Sequence, residues 1–347
     1  MPEKKQKPTI YDIARASGAS PSTVSAVLNG SWQKRRISEA TAKRVREVAN
    51  RHGYTTNLQA RGLRKAKSGL VGMILPVHDN RFFSSISQSF EANARERHLC
   101  PVIASTLRDP AEEIRTVETL ISYAVEAVFI VGATDPEALH RICAASNVAH
   151  IFVDLPGPGA PSVVSDNTHG ARLLSETILE RIPSATSQER PYFIGGVADD
   201  YATNRRIEAF RSAVQARQGT IDDDQIIACG YAPGRAAREI AALCDRLGRV
   251  PAGLFVNSLT VFEGVLGHFV TLPQDAFEAS VIGCYDYDPF GAFLRFPVHM
   301  VRQNSDALIT TAFEQFDTGD FAPRLTMIKP DLIAPRTIYR GRFVEFG

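Results

Sequence analysis

From residue 69 onward, short apolar runs alternate with stretches of helical spacing, and this alternation restricts the fold more than any other feature of the chain. The run "GLVGMILPV" opens it. Strands are predicted near 70–76, 101–106, 127–132, 149–154, 191–197, 225–229, 252–257 and 280–285, and helices at 82–98, 110–123, 167–181, 202–217 and 233–247. A parallel neighbour needs a crossover of a dozen or more residues, so strand–helix–strand repetition implies parallel sheets with helices on both faces. Roughly 280 residues are too many for one hydrophobic core, and two such sheets, each with its own core, are expected. The fold class is therefore α/β with two doubly wound parallel sheets. No internal repeat or low-complexity tract interrupts it.

In open parallel sheets ligands bind beyond the carboxyl ends of the strands. The residues there are Asn80 and Phe83 after the first strand, Thr106 after the second and Asp154 after the fourth. In the second half they are Arg206 on the helix after "YFIGGV", Asn257 after "AGLFV", and Tyr285 and Asp286 after "ASVIGC". Carboxylates and amides pair with vicinal hydroxyls, and a ring covers the apolar face of a sugar, so the set suits a polyol. Taken singly, each has a plainer reading, because an Asp at a strand end is as readily a helix cap.

Charge sets the N-terminus apart. Residues 1–67 hold 15 Lys and Arg against 4 Asp and Glu, a net +11, while the remainder carries −10; the overall +1 conceals the split. A basic module joined to an acidic body points to a polyanionic partner for the module alone. Three short helices are predicted within it. Thr9 caps the first, with Asp12 at the capping-box position, and Gly18 stops it. Ser20 caps the second, with Pro21 at its first position, and Val24, Val27 and Leu28 face inward. The third runs from Ser38 to His52 with Val45 and Val48 inside and Gly53 as terminator. Helix, short glycine turn, helix is the helix-turn-helix layout, whose second helix enters the major groove. The hydroxyls of Ser20, Ser22, Thr23 and Ser25 lie away from the apolar stripe, where they can bond phosphates or base edges.

"TIYDIARASGASPSTVSAVLNG" followed by "ISEATAKRVREVANRHGYTTN" closely resembles the DNA-binding head of the LacI/GalR family of sugar-responsive repressors, over about 45 positions. The resemblance implies that Thr9, Tyr11, Ser20, Ser22, Thr23, Ser25 and Asn29 hold the head on DNA, and that Pro21, Ser22 and Ala26 stand where the family reads bases. An extra loop, "GSWQKRR", adds Lys34, Arg35 and Arg36 as phosphate contacts. It is similar to an insertion in the fructose-repressor branch, towards which "FLRFPVHMVRQNSDAL" and "APRTIYRGR" also lean. "NLQARGLRKAKSG" then looks like the family's hinge, a helix too short to stand alone in water. By that resemblance Leu63 wedges into the minor groove, with Arg61, Arg64 and Lys65 on the backbone and Thr56 where a proline is usual.

The body is similar to the family along most of its length, through "VVSDNTHG", "NRRIEAF" and "VIGCYDYDPF". The resemblance implies a two-lobed, periplasmic-binding-protein-like body in which Asp154, Arg206, Asn257 and Asp286 ring a small sugar or sugar-phosphate effector. Arg205 or Arg81 would assist Arg206 if a phosphate is present. The expected domains are a head at 1–56, a hinge at 57–68, one lobe at 69–166 plus 298–328, and a second at 167–297 plus 329–347. Crossings are expected near Asp166, Pro297 and Lys329. A homodimer on palindromic operator DNA is expected, its interface partly on the 82–98 helix, because "YRGRFVEFG" lacks the leucine heptads of a tetrameriser.

The competing class is a sugar-metabolising α/β enzyme with an accessory DNA-binding head. No phosphate-cradling loop, nucleophile elbow or dinucleotide fingerprint is present. The five cysteines are odd in number and dispersed, which suggests buried free thiols, and the histidines show no metal-ligand spacing, so neither metal nor cofactor is expected. A periplasmic sugar carrier would need a signal peptide, and "MPEKKQKPTI" has no apolar run of that kind. Without a membrane span, the expected location is the cytoplasm.

Overall fold

The structure is a computed structural model, and its described residues are 8–54, 68–182 and 189–335. The chain divides into two compact units, Met1–Ser68 and Gly69–Gly347. The hinge residues Arg61, Leu63, Arg64 and Lys65 lie outside the described residues.

In the first unit, α1 (Ile10–Ser17), α2 (Pro21–Leu28) and α3 (Glu39–Arg51) surround a small core of Ile13, Val24, Val27, Val45 and Val48. Local chemistry sets each boundary. Thr9 and Asp12 form a reciprocal capping box, and Gly18 closes α1 in the left-handed region at φ 64°;. Ser20 and Ser38 accept hydrogen bonds from the backbone N–H of Thr23 and Thr41 at the next two helix starts;.

The second unit holds two six-stranded sheets. Its elements in chain order are β1 (Leu70–Leu75), α4 (Arg81–Glu96), β2 (Cys100–Ser105), α5 (Pro110–Ser122), β3 (Ala127–Val131), α6 (Pro136–Ala145), β4 (Ala149–Val153) and β5 (Ser162–Ser165). There follow α7 (Asn167–Arg181), β6 (Pro191–Ile194), α8 (Tyr201–Gln218), β7 (Ile226–Ile227), α9 (Pro233–Leu247), β8 (Gly253–Val256), α10 (Leu259–Phe269) and β9 (Val281–Tyr285). The chain ends with β10 (Val298–Arg302), α11 (Ser305–Thr318), β11 (Leu325–Ile328) and β12 (Asp331–Ile333). The first sheet, ordered β11-β5-β4-β3-β1-β2, is parallel throughout; the second, β12-β10-β9-β8-β6-β7, is parallel except for its edge strand β12. We call them lobe 1 and lobe 2.

Period-two alternation feeds a core on each face of each sheet. In lobe 1, Val71, Met73 and Leu75 face Phe90 and Phe313, while Ile74, Val128 and Ile130 face Val117, Leu120 and Leu139. Burying a large apolar side chain contributes roughly 1.5–3 kcal/mol, so the Phe90–Phe129–Phe313 cluster, with ring centroids 4.6–5.4 Å apart, is a principal anchor of this lobe. In lobe 2, Phe193, Phe255 and Tyr285 face α7 and α8, while Ile194, Val256 and Ile282 face α9 and α10.

The chain passes between lobes after β5, after β10 and between β11 and β12. The second passage corrects the expectation of a crossing near Pro297: β10 is hydrogen-bonded to β9 and β12 in lobe 2, so the chain leaves only after Arg302. The preceding "RFP" reads as an end because it breaks the apolar run, yet "VHMVR" resumes the sheet. Cys100 is a smaller correction. It is exposed at the head of β2, whereas the other four cysteines are buried.

Candidate effector cavity and DNA-binding surface

The carboxyl ends of β1, β4, β6, β8 and β9 converge on a cavity of about 60 Å³ between the lobes. Asn80, Phe83, Asp154, Arg206 and Asp286 line it, as expected from their strand-end positions. Both aspartates follow directly on a strand and adopt left-handed backbone, Asp154 at φ 72° and Asp286 at φ 86°. Aspartate tolerates that region better than most residues, and backbone held there at a ligand site is stored strain. Leu107 and Arg108, at φ 55° and 58°, add two more left-handed residues beside the cavity.

Arg206 is buried at the centre. Its Nε donates to Asn167 Oδ1 at 2.9 Å and its Nη1 to the Asn257 carbonyl at 2.7 Å. Its guanidinium lies 3.6 Å above the Tyr285 ring centroid;. Burial opposes the charge, but Tyr285, Asp286, Tyr231 and Asp154 outweigh it and hold the pKa above its ordinary value. Burial pushes Asp154 up to about 7, against the pull of Arg206 and Arg108;. Asp286 is raised by the same burial, with Arg206 and the Gln303 amide opposing.

Three expected residues are not in the cavity wall. Thr106 is buried, and its hydroxyl turns back to the Leu75 carbonyl at 3.4 Å. Asn257 is fully buried, holding Arg206 through its carbonyl and Thr203 through its side-chain amide at 3.2 Å. Tyr285 is fully buried too, so its ring supports the arginine instead of covering a sugar. Tyr285 packs in the core of lobe 2, and it and Asp286 face opposite ways as strand neighbours do. Gly196, at φ 76°, is where backbone comes close: a Cβ there would collide with Asn257 Nδ2 and Thr203 Oγ1;.

Nine wall residues were missed, and five of them make the contacts that shape the cavity. Asp200 occupies the N-cap position of α8 without capping it. Instead it accepts from the Tyr231 hydroxyl at 2.5 Å and from Thr203 at 3.4 Å. Arg108 stacks over the Tyr231 ring at 5.2 Å. Thr260 accepts from Asn80 Nδ2 at 3.3 Å. Gln303, on the segment crossing back from lobe 2, donates through Nε2 to Asp286 Oδ1 at 2.6 Å. The "GGVADDY" stretch was the available signal, two acids directly behind a strand; Gln303 carried none. Contacts from Arg108 to Tyr231, Asn80 to Thr260 and Arg81 to Asp288 (2.9 Å) join the two lobes across the cleft.

The DNA-facing expectations fall on the first unit. Tyr11 is 65% exposed, and Thr9, Ser20, Pro21, Ser22 and Arg35 are exposed as well. Ser20 bonds Ser22 at 2.8 Å and Thr23 at 2.9 Å, and Asn29 donates to Ser25 at 3.1 Å. Ala26 is a correction: only 3% exposed, it offers no side-chain surface to a base. The Ser31 N–H and hydroxyl close on its carbonyl, and the inserted loop is anchored by Trp32, which packs on the core beneath Arg46.

Residues 9–57 match the family "Bacterial regulatory proteins, lacI family", and residues 71–266 match "Periplasmic binding protein domain". The Ribitol operon repressor of Klebsiella aerogenes is 46% identical over 192 residues, covering 55% of this chain and 71% of that protein. The chain belongs to the lacI family of bacterial regulatory proteins. It is a DNA-binding transcriptional regulator and not an enzyme. The Catabolite repressor/activator of Escherichia coli K12 is 27% identical over 300 residues, covering 84% of this chain and 86% of that protein. In fold, this regulator is similar to the lac repressor dimer bound to operator and an anti-inducer, with TM-score 0.79 and 19% identity over 96% of this chain and 99% of that one. Among the described residues, no helix is long and apolar enough to cross a membrane.

Proposed function

We propose that this lacI-family regulator is a cytoplasmic homodimeric repressor whose affinity for a palindromic operator is set by a small sugar or sugar-phosphate effector bound in the interlobe cavity. The observation that carries the reading is the meeting of Asp154, Arg206 and Asp286, from both lobes, in one buried cavity. A ligand bonded to all three biases the lobes towards closure. The hinge segment, at residues 57–68, joins lobe 1 to the DNA-binding unit. If closure changes how well the hinges order on DNA, operator affinity changes with it, a coupling typically of about 1–3 kcal/mol.

The DNA contacts proposed are Thr9, Tyr11 and the α2 hydroxyls of Ser20, Ser22, Thr23 and Ser25, with Pro21, Asn29 and Arg35. Exposure of Tyr11, Pro21, Ser22 and Arg35 supports them. Two heads on a dimer then read half-sites about one helical turn apart. Leu63 is proposed as the minor-groove wedge, and the dimer interface is placed partly on α4. Fluorescence anisotropy on DNA from the protein's own promoter region, repeated across sugars and sugar phosphates, tests the scheme. Release of DNA by one compound identifies an inducer; tightening identifies a corepressor. Failure of every palindromic DNA to bind below micromolar at moderate salt overturns it.

A further inference from the structure

Resting on the reading of the cavity as the effector site, we infer that its ligand is an uncharged polyol of monosaccharide size, recognised by Gln303 together with Asp154, Asp200 and Asp286, and that phosphate esters are excluded. The first argument is electrostatic. Three carboxylates and two guanidinium groups line the cavity, so even with the raised Asp154 protonated the carboxylates balance the guanidinium groups and no positive charge is left over. A phosphate dianion would add two negative charges beside carboxylates that burial already disfavours. A neutral polyol adds none.

The second argument counts donors and acceptors. Two of the three Arg206 nitrogens are committed within the protein, Nε to Asn167 and Nη1 to Asn257. The Tyr231 hydroxyl is spent on Asp200. Of the other arginines considered for a phosphate, Arg205 is exposed and pairs with Glu208, and Arg81, which lines the adjoining pocket instead of this wall, is already paired with Asp288. Acceptors remain in excess, because each carboxylate offers about four lone-pair sites and few are used. A phosphate ester is rich in acceptors; a polyol supplies a hydroxyl donor at every carbon.

Gln303 supplies an independent observation. It is 8% exposed, and its Oε1 is buried with no partner among the described residues. With Asp286 ionised, the NH₂ end of the amide must meet its Oδ1 at 2.6 Å, which leaves Oε1 without that partner;. A buried unsatisfied acceptor lining a cavity is costly until a donor arrives. Gln303 also sits between Arg302, which ends β10, and Asn304, which caps α11, so the hydroxyl it accepts is tied to the segment that crosses between the lobes. Size agrees: about 60 Å³ holds a handful of waters, the scale of one small polyol.

The test titrates the full-length regulator with ribitol, xylitol and D-arabitol, and with ribitol 5-phosphate and fructose 1-phosphate, by calorimetry and by operator anisotropy. An uncharged polyol should bind and shift operator affinity, with its phosphate at least 100-fold weaker. Gln303→Leu and Asp200→Asn should each weaken the polyol at least tenfold, and a far-UV circular dichroism spectrum matching the wild type shows that each variant folds. Arg108→Ala should change polyol affinity less than threefold. A phosphate ester that binds more tightly than its parent and loses that advantage in Arg108→Ala overturns the inference and leaves the effector site standing. If operator DNA binds but no compound of either class binds the protein, the effector reading and the inference fall together.

Discussion

Replacing Asp154 with Asn should stabilise the ligand-free regulator, and by an amount that grows with pH. Asp154 is buried and its carboxyl is raised from 3.8 to about 7. Between those values the folded protein holds a proton that the unfolded chain has released, so stability falls as pH rises through the interval and levels off above 7. The slope is at most about 1.4 kcal/mol per pH unit and flattens towards pH 7, giving a cost of roughly 2 kcal/mol accumulated between pH 5 and 7. Asn keeps the shape, tolerates the left-handed backbone at φ 72° and carries no charge.

The variant minus wild-type difference in Tm should therefore widen from pH 5 to 7 by several degrees, at about 2–4 °C per kcal/mol for a unit of this size. Differential scanning calorimetry of both proteins at half-unit pH steps measures it, and ionisations shared by the two cancel in the difference. Parallel curves across the range would refute the claim that Asp154 pays for its position with buried charge. The same variant should lose most of its effector response, the trade expected where an active site is held in a destabilised state.

Arg206→Ala should abolish the effector response and also destabilise the body by about 3–5 kcal/mol, since it leaves Asp286 and Asn167 without their buried partner;; operator anisotropy with and without effector, beside a melting curve, separates the two effects, and an unchanged melting temperature would contradict the buried network. Ala26→Leu should cost the head about 1–3 kcal/mol by overpacking, because the position is 3% exposed;. A neutral effect on head unfolding would mean that Ala26 faces solvent. Leu63→Ala should weaken operator binding more than binding to random DNA, and equal losses in anisotropy on both would remove the wedge role.

What the sequence disclosed follows from how local each signal is. Thr9 with Asp12, Ser20 with Pro21, and Ser38 announce helix starts from within four residues, and all three sit where expected. Strands with long apolar runs, such as β1 and β3, were equally legible. The segments β5, β10, β11 and β12 were not, since each follows closely on a proline and has polar residues among its apolar ones. Within the site, the strand ends were found but not their facing. Asp286 and Tyr285 are neighbours, and only the register of β9 against its sheet decides which of them sees the cavity. Asp200, Tyr231 and Gln303 come from loops and a crossing segment whose approach is a tertiary outcome, without any periodicity to betray it.

On the proposed effector reading, the cavity and the contacts around it supply the energetic means by which a small ligand would move so large a body. The cross-lobe contacts are weak ones. Arg81 and Asp288 have side chains 44% and 25% exposed, and exposed pairs of this kind contribute about 0–1 kcal/mol. The Asn80–Thr260 bond and the Arg108–Tyr231 stack add contributions of similar size. Against them stand three carboxylates crowded round one buried arginine, and backbone held left-handed at Asp154 and Asp286. Closure is thus opposed by charge and strain at the centre and favoured by modest contacts at the rim, so the two arrangements need differ by only a few kcal/mol. A ligand that donates to those carboxylates and to Gln303 relieves the opposition where it is concentrated. Its binding free energy is then differential between open and closed lobes, which is the condition for shifting their populations at all.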